Sequence, residues 1–235
     1  MMKTILNGAE ALYTLFYPKL CYACYDELIG NEEQICLRCW QKVIPTQFHT
    51  YAMNDVARKL FGRFYFNRAA AGFYFHKVSG MQRMLHELKY RGNRDIGIEL
   101  GKRLAKNCMS NHWLDHIDCL IPVPLSDKKI RKRGYNQSEV LAEGIQAIIP
   151  IGINKHSLVR TTDTESQTKK NIEQRRINMQ QAFELKEETS LRNKHVLLVD
   201  DVLTTGATIE ACARELLRVK GIEISILTLA YAIEY

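Results

Sequence analysis

Two stretches of this 235-residue sequence combine residue types at spacings that can do chemistry. The first covers residues 196–208. Val196, Leu197, Leu198 and Val199 lead into Asp200 and Asp201, and Thr204, Thr205, Gly206, Ala207 and Thr208 follow shortly after. An unbroken apolar run of this kind fits a strand covered on both faces. Both carboxylates then fall at its C-terminal end, where open α/β sheets bind ligands. The threonine-rich turn opens a helix, so free N–H groups and hydroxyls converge at the positive end of the helix dipole. That is a cradle for a phosphate dianion. Gly206 permits close backbone approach. The acids cannot coordinate that phosphate, but they can accept hydrogen bonds from a sugar diol a few ångströms away. The ligand implied is a 5′-phosphorylated ribose. A strand ending in two acids also resembles the second motif of a nucleotide hydrolase, but that reading requires a phosphate loop ending in Gly-Lys-Ser/Thr. The nearest segments, Gly92 to Gly97 and Gly101 to Arg103, do not fit.

The second stretch holds Cys21 and Cys24, then Cys36 and Cys39. Two CxxC pairs at this separation suit a four-thiolate tetrahedral zinc site, with Gly30 and Asn31 marking the turn that brings the pairs together. Two disulfides are the alternative, and they fit an oxidising compartment. With four thiolates the metal has no open position, so its role is structural. Cys108, Cys119 and Cys212 stand alone and read as buried small hydrophobes.

The elements that must position these residues follow from periodicity. Over 1–17 the apolar residues recur at helical spacing, which favours an amphipathic helix over a signal peptide and a cytoplasmic location. Strands are expected over 69–75, 119–123, 157–160, 196–199 and 222–231. Helices are expected over 80–89, through Ile96, Leu100 and Leu104, and over 137–149 and 208–220. This alternation implies an α/β fold with a parallel sheet covered by helices. The divisions expected are a four-cysteine module over 1–50, a linker over 51–68 and the main domain over 69–235. No run approaches the roughly 18 apolar residues of a membrane span. The formal charge of +7 suits an anionic partner, whether small-molecule phosphates or nucleic acid.

Residues 196–208 resemble the 5-phosphoribosyl-1-pyrophosphate (PRPP) signature of type I phosphoribosyltransferases. That resemblance implies Asp200 and Asp201 on the ribose hydroxyls, residues 204–208 on the 5′-phosphate, and magnesium with PRPP. The order of segments is narrower still. Four N-terminal cysteines precede Leu88-Lys89-Tyr90-Arg91-Gly92, then Ile121-Pro122-Val123-Pro124-Leu125, then Arg133-Gly134-Tyr135-Asn136-Gln137, then the phosphoribose loop. This resembles the ComF family of competence proteins, some of which are needed for DNA uptake in naturally transformable bacteria. The resemblance implies a type I phosphoribosyltransferase fold with a small zinc-knuckle module. It also implies a part in handling incoming single-stranded DNA with the competence machinery.

The remaining segments carry physical readings of their own. The resemblance implies pyrophosphate near residues 122–125, at the end of a strand where type I enzymes bind it through backbone N–H groups. Two prolines leave few donors there, so Leu125, Ser126 and Asp127 have to supply them. Lys89 and Arg91 flank a turn and suit a phosphate, or else a solvated helix end. Lys128, Lys129, Arg131, Lys132 and Arg133 put five cations in six residues, beside Tyr135, Asn136 and Gln137. Cations with a ring and amides suit single-stranded nucleic acid, and also pyrophosphate or a merely solvated face. The polar stretch 160–176, starting at Arg160, is expected to be a mobile cover over the ligand or a long surface loop. Three functions remain: a DNA-handling factor, a transferase acting on PRPP with an unidentified acceptor, and a sensor of a phosphoribosyl ligand.

Overall fold

The computed structural model describes residues 16–76, 79–109, 111–161 and 182–233. Its centre is a five-stranded sheet in the order β1-β7-β6-β2-β3 with every pairing parallel. The strands are β1 (Arg68–Phe75), β2 (Cys119–Pro122), β3 (Gly152–Ile153), β6 (His195–Leu203) and β7 (Glu223–Ala232). A separate antiparallel pair joins β4 (Leu158–Arg160) to β5 (Phe183–Leu185). The helices are α1 (Leu37–Trp40), α2 (Asp55–Leu60), α3 (Gly80–Tyr90), α4 (Arg94–Met109), α5 (Asp127–Arg133), α6 (Gln137–Gln146) and α7 (Ala207–Leu216). This is the α/β arrangement expected of the sequence. Parallel strands need long crossovers, and helices supply them here.

Residues 196–199 of β6 are fully buried, as a strand covered on both faces requires. Ile224, Ile226, Leu227 and Leu229 of β7 pack beside them. α4 and α6 cover one face and approach closely at Gly101 and Gly144. A side chain on either glycine would run into the other helix's backbone, on a Leu141 or Ile98 carbonyl respectively.

Two features of these elements bear on function. β6 continues to Leu203, past both acids, because β7 pairs with it all the way to Leu203↔Tyr231. Its pairing with β2, by contrast, stops at Pro122↔Val199, with a final bond from Val123 N–H to the Val199 carbonyl at 2.9 Å. The acids thus lie where β6 loses a neighbour on one side. The segment expected to be a linker over 51–68 holds α2 and packs against the sheet. Asn54 is buried, accepts from Ala57 N–H at 3.0 Å, and shares its amide group among the Phe48, Tyr51 and Ala69 carbonyls. Most of the expected amphipathic helix over 1–17 and of the polar cover over 160–176 lies outside the described residues. No helix of the described residues is long and apolar enough to cross a membrane.

Candidate functional site

The sheet order places the site. From β2 the chain moves outward to β3, and from β6 it moves the opposite way to β7, although β2 and β6 are neighbours. A crevice therefore opens at the C-terminal ends of β2 and β6, the switch point at which doubly wound sheets bind ligands. Into it come the acids of β6, the turn over 204–206, the prolines after β2 and the start of α6.

Asp200 is the better enclosed acid. Its Oδ1 accepts from the Ser138 hydroxyl at 3.0 Å and from the Asp201 N–H at 2.8 Å. Burial and the adjacent Asp201 carboxylate raise its pKa to about 7, against the pull of the Asp201 N–H, Ser138 and Lys89. Asp201 forms an ion pair with Lys89 Nζ at 2.8 Å. Ser138 is delivered by the first turn of α6, which Asn136 caps by accepting from Ser138 N–H at 3.1 Å.

The turn beyond the acids has the expected shape. Gly206 has φ +78°, a conformation other residues resist, and a Cβ there would stand 2.8 Å from Leu60 Cδ2. The N–H groups of Thr205 and Gly206 have no acceptor among the described residues, while Ala207 N–H makes only a 3.4 Å contact with the Thr205 hydroxyl. Thr204 and Thr205 are exposed, and Ala207 and Thr208 half-buried.

On the β2 side, Leu125 is half-buried and Ser126 buried. The Ser126 hydroxyl is the one buried side-chain polar atom among the described residues with no hydrogen-bond partner. Lys89 meets a carboxylate instead of standing free for a phosphate, and Arg91 is exposed at the end of α3. Lys128, Lys129, Arg131 and Lys132 lie exposed on α5, and Arg133 is half-buried with its guanidinium 5.4 Å from the Tyr90 ring centre and 2.6 Å from Gln137 Oε1.

The residues beside this basic run need a correction. Tyr135, Asn136 and Gln137 are buried, so they are not an exposed face beside the cations. Tyr135 donates to the Leu88 carbonyl at 2.6 Å, Asn136 donates to the Val123 carbonyl at 3.0 Å, and Gln137 donates to the Tyr135 carbonyl at 3.2 Å. Together they tie α3, the β2 loop and α6 around the crevice. Arg160, on β4, packs its guanidinium 5.2 Å from the Phe183 ring centre. Ser138, Lys59 and Arg63 reach the site without having stood out in the sequence.

The four cysteines gather as their spacing implies, with all four sulfurs within 4.8 Å of one another. Cys24 and Cys36 are 3.8 Å apart, the edge expected of a tetrahedron with zinc–sulfur bonds of about 2.3 Å. Burial acts to raise the Cys21 thiol, but the N–H groups of Cys36, Ala23 and Cys24 prevail and bring it down to about 7. Burial and the neighbouring thiols hold Cys39 up. All four can ionise together only around a cation. Tyr25, just after the first pair, donates to Glu87 Oε1 of α3 at 3.0 Å and docks the module on the main fold. Of the three isolated cysteines, Cys108 and Cys212 are buried, and Cys119 is half-buried.

Residues 113–235 match the phosphoribosyl transferase domain, the stretch that holds β2, the acids and the turn. The chain belongs to that family. Within it, it is of the ComF/YhgH type. It is 29% identical over 213 residues to Competence protein ComFC of Bacillus subtilis, a match covering 90% of this chain and 83% of that protein. It is 30% identical over 138 residues to DNA utilization protein YhgH of Escherichia coli O157:H7, covering 57% of this chain. The match spans about 60% of that relative's length. Among solved structures, a hypothetical protein from Neisseria gonorrhoeae with bound ppGpp aligns at a TM-score of 0.39 and 19% identity, over 60% of this chain and 69% of that one.

Proposed function

We propose that this chain binds a phosphoribosyl ligand, PRPP or a close relative, and takes part in handling single-stranded DNA during natural transformation. One observation carries the ligand reading: at the switch point, two acids and a turn with unpaired N–H groups lie where a ribose diol and its 5′-phosphate fit together. Asp200 and Asp201 accept from the ribose hydroxyls, while Thr205 and Gly206 N–H and the hydroxyls of Thr204 and Thr208 take the phosphate. A magnesium ion accompanying PRPP would be held beside Asp200 and Asp201 and offset the pyrophosphate charge. The family match supports the phosphoribosyl ligand, and the names of the relatives support the setting in DNA handling. The exposed cations of α5 supply the surface for a DNA backbone, next to the crevice. Titration of the full chain with magnesium and PRPP tests the ligand: saturable binding is expected, lost in Asp200→Asn/Asp201→Asn. Unaltered binding in that variant would remove the reading.

The four-cysteine cluster holds a structural zinc. Metal analysis should find one zinc per chain, released by thiol-modifying reagents, and a folded chain without metal contradicts it. The second reading is a transferase that displaces pyrophosphate from PRPP, favoured by the completeness of the ribose half of the crevice. Measuring pyrophosphate release from PRPP, with and without single-stranded DNA, separates the two.

A further inference from the structure

The loop between β6 and α7 has two sides. The acids and the free N–H groups belong to the side facing the crevice, while the other side is gripped by residues from far away in the chain. Lys59 Nζ donates to the Thr204 carbonyl at 2.7 Å, and the Arg63 guanidinium donates to the Thr205 carbonyl at 2.7 Å. Both cations come from α2 and the turn after it, within the segment that the sequence marks only as a linker. Their mounting is fixed. Asn54 anchors the start of α2, and Leu60 is fully buried beside Gly206, whose φ of +78° disfavours any side chain. Arg63 also lies 3.7 Å from Glu210, and its carbonyl accepts from Arg214 at 3.0 Å, which ties it to α7.

The direction of these bonds matters. The described chain has no cis peptide bond, and a trans peptide unit points its carbonyl and its N–H in opposite directions. The Thr204 carbonyl shares a unit with Thr205 N–H, and the Thr205 carbonyl shares one with Gly206 N–H. Drawing both carbonyls towards Lys59 and Arg63 therefore turns both N–H groups the other way, and neither has an acceptor among the described residues. A cation on the oxygen of a peptide unit also polarises it and makes its N–H a stronger donor. Two positive charges behind the loop add to the field at an anion in front of it.

We propose that Lys59 and Arg63 are positioning residues for the phosphate-binding turn, so that the segment around α2 is a built part of the ligand site. This rests on reading the turn as the seat of a ribose 5′-phosphate. The plainer role, pinning a surface segment to the core, would alter stability and leave the amides of the turn unchanged.

The test uses the full chain and its Arg63→Met, Arg63→Lys and Lys59→Met variants, titrated with ribose 5-phosphate and followed by amide NMR and thermal melting. In the unsubstituted protein the Gly206 amide proton moves downfield as ribose 5-phosphate saturates the site. Arg63→Met and Lys59→Met weaken that binding about tenfold and shrink the Gly206 shift, whereas Arg63→Lys restores most of both. Binding and a Gly206 shift unchanged in both methionine variants, whatever their melting temperatures, would overturn the inference. Failure of the unsubstituted protein to bind ribose 5-phosphate, or binding that leaves Gly206 unmoved, would overturn the phosphate-site reading itself.

Discussion

The two loops that leave β2 and β6 face each other across one crevice and are built from opposite materials. The β6 loop follows two acids with threonines and a glycine, and its N–H groups at Thr205 and Gly206 have no acceptor among the described residues. The β2 loop contains Pro122 and Pro124, which have no N–H, and its Val123 N–H is engaged with Val199. What remains there is the backbone of Leu125, Ser126 and Asp127 and the unpartnered Ser126 hydroxyl. The cations nearby do not repair the deficit, because Lys89 is paired with Asp201 and four of the five on α5 are exposed. On the proposed reading, one half is equipped for a ribose phosphate, and the other offers few aimed donors for a departing pyrophosphate, whose developing charge a transferase has to meet. The contrast favours a chain that holds a phosphoribosyl group over one that turns it over quickly.

The contrast can be broken or sharpened by substitution. The largest effect is expected from Asp200→Asn/Asp201→Asn, which should weaken PRPP by roughly a hundredfold or more, through two charge-assisted contacts of about 1.5–3 kcal/mol each. Calorimetric titration reads it directly. Gly206→Ala should follow at around thirtyfold, since it forces a methyl group against Leu60 at a positive φ and misdirects the turn. A matching loss from a substitution on the β2 side would erase the contrast. Replacing Lys128, Lys129, Arg131, Lys132 and Arg133 with glutamine should weaken oligodeoxythymidine binding about tenfold and flatten its salt dependence while sparing PRPP. Fluorescence anisotropy at several salt concentrations checks this, and salt-insensitive binding by the unsubstituted protein would remove the direct DNA role.

The smallest effect concerns stability. The folded state holds the Asp200 proton more tightly than the unfolded chain does, whose ordinary value is about 3.9. Stability must therefore fall as pH rises from near that value through about 7. Asp200→Asn should then raise the melting temperature by a few degrees at pH 8 and by little at pH 4. Equal shifts at both values would mean that Asp200 is not strained by its burial.

How much of this was legible follows from how the parts are distributed along the chain. The acids, the turn and the four cysteines were readable because each motif is nearly contiguous and its residue types have few other uses. The extension of β6 beyond Val199 was not, because aspartates disfavour strands and only pairing with β7 holds them there. Ser138, Lys59 and Arg63 meet the β6 loop from 62, 145 and 142 residues away, brought together by sheet order and helix packing. No local period announces such meetings, although the spacing of four between Lys59 and Arg63 around buried Leu60 was a faint trace. Tyr135, Asn136 and Gln137 misled because their polar groups suit a ligand as well as a carbonyl. Their position at the entry to α6 decided in favour of the carbonyls of Leu88, Val123 and Tyr135.

The most direct measurement is a pair of titrations of the full chain, with ribose 5-phosphate and with pyrophosphate, each in the presence of magnesium. Ribose 5-phosphate should bind more tightly and lose that advantage in Asp200→Asn/Asp201→Asn. Pyrophosphate binding as tight or tighter, with ribose 5-phosphate indifferent to the two acids, would contradict a crevice whose strong half is the β6 loop.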